Sequence, residues 1–153
     1  MNGSTKSSPK SSRTSSDAVV LDTSVLYADA DRSDTHHVRC RRLLERTPGP
    51  LLVPTFVVGE ITYLLARRQG PHAEAVFLAS LAAAELLVEH PTQRDMVRIA
   101  QLVWTYKDLP LGTVDASIVA LAERLKVATI ATLDRLHFSV VRPRHVAAFE
   151  LIP

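Results

Sequence analysis

A chain of 153 residues, 46% hydrophobic and 22% charged, suits one soluble globular domain that buries a core without metal or disulfide staples. Its single cysteine, Cys40, excludes an internal disulfide and suits a reducing cytosol, and no run reaches the ~18 apolar residues of a membrane helix. The formal charge of +2 is too small to declare a nucleic-acid partner, although 14 of the 18 basic residues are arginine, whose planar guanidinium pairs with phosphate in a bidentate way. A general bias of composition accounts for the same excess.

Residues 1–17 open the chain with Ser, Thr, Lys, Arg and Pro and no apolar residue after Met1 until Ala18. Nothing there repays the entropy of ordering or forms the apolar centre of a secretory signal, so a disordered tail is expected, followed by one domain over residues 18–153. The run Ala18-Val19-Val20-Leu21 reads as a buried strand ending at Asp22, and residues 23–30 as a short helix. A second helix is expected from Asp34 or Thr35 to about Arg46. Leu51-Leu52-Val53 forms a second strand closed by Pro54, and Thr55 caps a helix to about Gln69, stopped by Gly70-Pro71. A helix over about 72–83 leads to a strand at Leu86-Leu87-Val88. Thr92 and Thr113 cap helices reaching Lys107 and Lys126, Ala128–Ala131 is a fourth strand, and residues 147–152 form a fifth.

Strands alternating with helices imply an α/β protein with a mostly parallel sheet of about five strands, covered by helices on both faces in three layers. In such sheets ligands bind beyond the carboxyl ends of the strands. Asp22 and Asp134 stand just after two of them.

Four of the 16 acids break the pattern of solvent-facing charge. Asp22 precedes Thr23-Ser24; an aspartate there caps a helix well, but either of those two residues can cap and leave Asp22 to face the crevice. Glu60 shares the apolar stripe of its helix with Phe56 and Leu64, where a carboxylate is costly to bury without a partner. Asp115 shares an inward face with Ile118 and Val119; Asp134 follows the fourth strand. Each has an ordinary structural reading: an arginine pair or a shifted face that leaves it in water for Glu60, helix-dipole compensation for Asp115, a cap or turn for Asp134. Together they place four acids at one crevice. Like charges that close need a counter-charge, and hard oxygen ligands suit Mg²⁺ or Mn²⁺, which in turn activate water against a phosphodiester. The remaining acids, Asp95 and Glu123 among them, read as surface charge.

Asp22-Thr23-Ser24 after a first strand, Glu60 on an early helix, Asp115-Ala116 opening a late one and Thr132-Leu133-Asp134 after the next strand resemble the PIN domain. The stretch Leu133–Ser139 and the ending Phe149-Glu150-Leu151-Ile152-Pro153 are similar to the VapC toxins of bacterial VapBC toxin–antitoxin pairs. The resemblance covers about residues 18–153; residues 1–17 depart from it. It implies a three-layer PIN-like fold and a Mg²⁺- or Mn²⁺-dependent endoribonuclease that cuts tRNA or rRNA and stops translation. It also implies Asp22 and Asp115 as central metal ligands, Glu60 and Asp134 completing the shell or orienting water, a homodimer, and a cognate VapB-type antitoxin packed on the early helices.

Other features compete. His36 and Cys40 stand at i and i+4, but a structural zinc site needs about four ligands and no second cysteine exists. Arg39, Arg41, Arg42, Arg46, Arg67 and Arg68 form a basic rim for RNA, a surface for an acidic partner, or a solvated face. Arg135, Arg142 and Arg144 lie nearer the expected site. Tyr27, Phe56, Tyr63 and Phe138 fit core packing better than stacking on bases. Two rival functions stay open: a phosphatase with Asp22 as nucleophile, which lacks the second aspartate two residues on because Ser24 stands there, and a PIN-like RNA-binding or RNA-processing protein that is not a toxin.

Overall fold

The structure is a computed structural model that describes residues 17–153; apart from Asp17, the expected tail lies outside the described residues. Along the chain run β1 (Val19–Leu21), α1 (Thr23–Ala30), α2 (His37–Arg46), β2 (Leu51–Pro54), α3 (Thr55–Arg68), α4 (Pro71–Ala82), β3 (Leu87–Glu89), α5 (Gln93–Thr105), α6 (Thr113–Leu125), β4 (Thr129–Ala131), α7 (Arg135–Val140) and β5 (Glu150–Ile152). The five strands form one sheet in the order β3-β2-β1-β4-β5, and every pairing is parallel. This is the α/β architecture expected from the alternation of strands and helices.

The strands are short apolar runs because a parallel sheet is covered on both faces. Val20, Leu21, Val53, Ile130 and Ala131 have no exposed surface, and they pack with Val57, Ile61 and Leu65 of α3 and with Ile118 and Val119 of α6. The chain leaves β1 toward β2 on one side and returns to β4 on the other, so strand order reverses between β1 and β4. The crevice at such a switch point lies beyond the strands' carboxyl ends. α1 and α3 begin at that end because they follow β1 and β2. α6 begins there too, since it runs back to feed β4.

Several boundaries differ from expectation for identifiable reasons. Thr55 and Thr113 lie inside their helices, with Pro54 and Gly112 at the capping positions. Gly70 ends α3 and at once starts α4: its φ of +89° makes the sharp turn, and Pro71 occupies the first helical position, where its missing N–H costs nothing. β3 is shifted one residue, to Leu87–Glu89, by its register with β2. Helix α7 was not expected at all.

Asp95 and Glu123, read as surface acids, are buried between α5 and α6. Glu123 receives both Nε and Nη2 of Arg98, at 2.8 and 2.9 Å, and the backbone N–H of Arg144 at 3.0 Å. Asp95 caps α5 through Thr92 and also accepts from Arg124 Nε at 2.8 Å. Charge buried this way requires paired partners, and each acid has them.

Candidate active site

Asp22 ends β1 and is itself the N-cap of α1, so Thr23 and Ser24 do not free it as expected. Its Oδ1 accepts from the Thr23 N–H at 2.7 Å. Its Oδ2 accepts from the hydroxyls of Ser24 at 2.7 Å and Thr132 at 2.8 Å. Those two hydroxyls are polarised in turn, because Ser24 Oγ accepts the Leu133 N–H at 2.9 Å and Thr132 Oγ1 accepts the Asp134 N–H at 3.0 Å. Backbone amides of the β4–α7 loop thus reach Asp22 through one hydroxyl each. The side chain is only 6% exposed and fixed as an acceptor at both oxygens.

Glu60 lies in the second turn of α3. It is exposed, and Oε2 accepts from Thr23 Oγ1 at 2.5 Å. Thr23 therefore joins two of the acids, its N–H on Asp22 and its hydroxyl on Glu60; among the described residues no arginine pairs with Glu60, which faces solvent as the shifted-face reading had it.

Asp115 lies in the first turn of α6, half-buried. Burial pushes its carboxyl above the ordinary value, and the negative charges of Asp22 and Asp134 push it further, against the pull of His137. His137 Nδ1 lies 2.6 Å from Asp115 Oδ2. Asp134 is exposed and serves as the N-cap of α7, with Oδ1 accepting from the Leu136 N–H at 3.2 Å. The charges of Asp22 and Asp134 both act on Asp115, which lies at the same end of the sheet.

His137 is the site residue that sequence reasoning missed. The signal available was an aspartate cap followed by Leu136, Phe138 and Val140, but six residues are too few to show a helical period.

The charge balance suits a small hard cation. Carboxylates and hydroxyls line the crevice, and the unfavourable proximity of acids is what a divalent ion relieves. Among the described residues no three His, Cys, Asp or Glu side chains form a ready-made metal cage. Mg²⁺ needs none: it ordinarily takes one or two carboxylates and keeps several waters. Carboxylates such as Asp22 and Asp115 fit such an ion in donor type.

The arginines divide differently from expectation. Arg135 donates to the carbonyls of Leu151 and Pro153 at 3.1 and 2.6 Å, and Arg142 to the Ser139 carbonyl at 2.9 Å. Arg144 sits by Glu123 at the far end of α6 and bonds Gln101, so it is remote from Asp115. Arg39, Arg42 and Arg46, on one face of α2, instead line an open trough of about 450 Å³ against Ile152 and Pro153. That trough adjoins the site, because the Ile152 carbonyl accepts the N–H of Thr132 at 2.8 Å. Tyr63 is 59% exposed under the Arg67 guanidinium, not in the core, whereas Phe138 is buried as expected.

An all-parallel α/β sheet with acids gathered at its switch point defines a class of acidic-centred α/β proteins. A family model for the PIN domain matches residues 19–142. Ribonuclease VapC26 of Mycobacterium tuberculosis is 35% identical over 135 residues, spanning 88% of this chain and 100% of that protein. The chain belongs to the PIN domain family and, within it, to the VapC group. Among solved structures, VapC20 of M. tuberculosis, described as a Sarcin-Ricin loop cleaving toxin, superposes with a TM-score of 0.73 at 22% identity, covering 84% of this chain and 98% of that one. VapBC2 of Rickettsia felis, bound to a DNA fragment from its promoter, gives 0.64 at 14% identity, covering 89% and 99%. Both support the fold. Among the described residues no helix is long and apolar enough to cross a membrane.

Proposed function

We propose that this chain is a Mg²⁺- or Mn²⁺-dependent endoribonuclease, the toxin of a toxin–antitoxin pair, which cleaves tRNA or rRNA in the cytoplasm and so inhibits translation. The observation that carries the reading is the placement of Asp22 after β1, Asp134 after β4 and Asp115 in the first turn of α6, all at the carboxyl end of the sheet's switch point. The relationship to a ribonuclease VapC over nearly the whole domain supports the substrate class.

Asp22 and Asp115 are the central metal ligands in this reading, with Glu60 and Asp134 completing the shell or orienting water. A bound divalent ion supplies Lewis acidity toward a phosphate oxygen and lowers the pKa of water enough for attack near neutral pH. Ser24 and Thr132 hold Asp22 in one orientation. Thr23 holds Glu60 against α1. Arg39, Arg42 and Arg46 offer guanidinium groups to the RNA backbone beside the site.

The nucleophilic-aspartate alternative is disfavoured because Ser24 stands where a second aspartate would be needed, and its hydroxyl donates to Asp22.

A cognate VapB-type antitoxin is assigned to the groove of about 670 Å³ between α1, α2 and α4. Helix α4 is apolar yet buries no residue fully, and Val76 is 57% exposed along that groove. An uncovered apolar face of this kind marks an interaction site. A homodimer is the expected assembly.

Sequencing RNA ends after induced expression tests the function. The reading predicts new ends at one or a few positions in tRNA or rRNA, absent when the antitoxin is co-expressed. RNA that is bound but never cut would favour an RNA-binding PIN-like protein instead.

A further inference from the structure

Helix α7 aims one donor at one of the four acids. Asp134 caps the helix, and Phe138 and Val141, 2% and 0% exposed, pin its far side into the core. Between these anchors stands His137, whose Nδ1 lies 2.6 Å from Oδ2 of Asp115 on α6. An ionised carboxylate only accepts hydrogen bonds, so Nδ1 carries the proton in this contact. Asp115 Oδ1 has no hydrogen-bond partner among those resolved for the described residues, and His137 makes no other side-chain bond among them. The imidazole is thus committed to a single oxygen of a single acid.

We propose that His137 is the positioning residue for Asp115: by holding Oδ2 through its Nδ1–H, it turns Oδ1 toward the crevice to meet a divalent cation. The inference rests on the reading of Asp115 as a metal ligand. It assigns His137 no contact with RNA or with the reacting phosphate. The physical basis is that a ligand carboxylate free to rotate must be ordered when the ion binds, whereas one already held by a neighbouring donor need not be. Partners that orient a metal's ligands in this way commonly contribute 10–100-fold in metal affinity. The arrangement also links two of the acids mechanically, because Asp134 starts the helix that orders Asp115.

The test is Mn²⁺ binding to the full chain without RNA, followed by titration calorimetry or by the spin resonance of free Mn²⁺. The variants are His137→Ala, His137→Asn, His137→Gln and Asp115→Asn, with thermal unfolding as the control for folding. Asparagine places an amide N–H where the histidine has Nδ1, and glutamine places it one bond further out. The proposal expects His137→Ala to bind Mn²⁺ about 10–100-fold more weakly, His137→Asn to recover most of that loss, and His137→Gln to recover little. A His137→Ala protein that binds Mn²⁺ like the unsubstituted chain, while Asp115→Asn binds weakly, overturns the positioning role and leaves the metal site standing. Unchanged binding in Asp115→Asn overturns the metal reading itself. If His137→Ala fails to fold, His137→Asn decides: folded with near-original affinity supports positioning, folded with weak affinity refutes it.

Discussion

Thr132 and Asp22 meet across the point where strand order reverses: Oγ1 of the one donates to Oδ2 of the other at 2.8 Å, over 110 positions of sequence. The bond ties the residue after β4 to the residue after β1, and it is fully buried at the Thr132 end. Thr132→Val keeps the shape and removes the donor. Asp22 keeps its contacts with Thr23 and Ser24 but loses one of the two hydroxyls on Oδ2. RNA cleavage should fall about 10–100-fold, with a stability loss of about 0.5–1.5 kcal/mol for the lost bond, since Oδ2 still accepts from Ser24. Initial cleavage rates and thermal melts check the two effects separately; an unchanged rate would show that Asp22 needs no orientation from β4.

Asp134 has two assignments that substitution can separate. As the cap of α7 it is replaceable by asparagine, which caps equally well. As a charged member of the acidic centre it is not. Asp134→Asn should therefore melt like the unsubstituted chain and cleave RNA poorly. Asp134→Ala should lose both, with about 0.5–2 kcal/mol of stability. Full activity in Asp134→Asn would reduce this residue to a cap.

The Glu123 pair sets a pH dependence of stability. Burial pushes its carboxyl up, but the Arg98 bond, the Arg144 N–H and the charges of both arginines outweigh it, so the carboxyl lies below its ordinary value. On acidification the unfolded chain takes up this proton first. The contribution is complete above the unfolded value, about 4.3, and is lost as pH falls through the lower folded value. Glu123→Gln should be about 2–3 kcal/mol less stable at neutral pH and should lose less than the unsubstituted chain on acidification below that point. Parallel slopes of melting temperature against pH would contradict the assignment.

Arg42 and Arg46 line the trough beside β5 with no ion pair among those resolved for the described residues. If they meet phosphates, replacing either by alanine should weaken RNA binding across sequences and lower the slope of log K against log salt by about one. Mn²⁺ affinity should not move. Filter binding at several salt concentrations measures the slope, and an unaltered slope would leave α2 a solvated face.

The sheet and two of the candidate acids were legible because burial on two faces writes itself into sequence as short apolar runs, and a polar residue after such a run stands out. Asp22 after Leu21 and Asp134 beyond Ala131 are of this kind. Asp115 was legible as a charge on an apolar helical face, whereas Glu60 lies beside the buried stripe of Val57, Ile61 and Leu65 and is exposed. The α5–α6 ion pairs were not, since Asp95 and Glu123 look like any helical acid until the helices meet and Arg98 and Arg124 cover them. Helix α7 escaped for a related reason. Its six residues are held by Phe138 in the core and by the Asp134 cap, contacts that no local period reveals. With it went His137, the partner of Asp115.

The most direct test of the four-acid centre is cleavage of an end-labelled structured RNA by the purified chain, with Mg²⁺ or Mn²⁺ and with EDTA. Asp22→Asn and Asp115→Asn are run beside it. The account predicts cutting only with metal, loss of cutting in both variants, and unchanged folding in Asp115→Asn. Cutting that continues in EDTA, or in either folded variant, contradicts it.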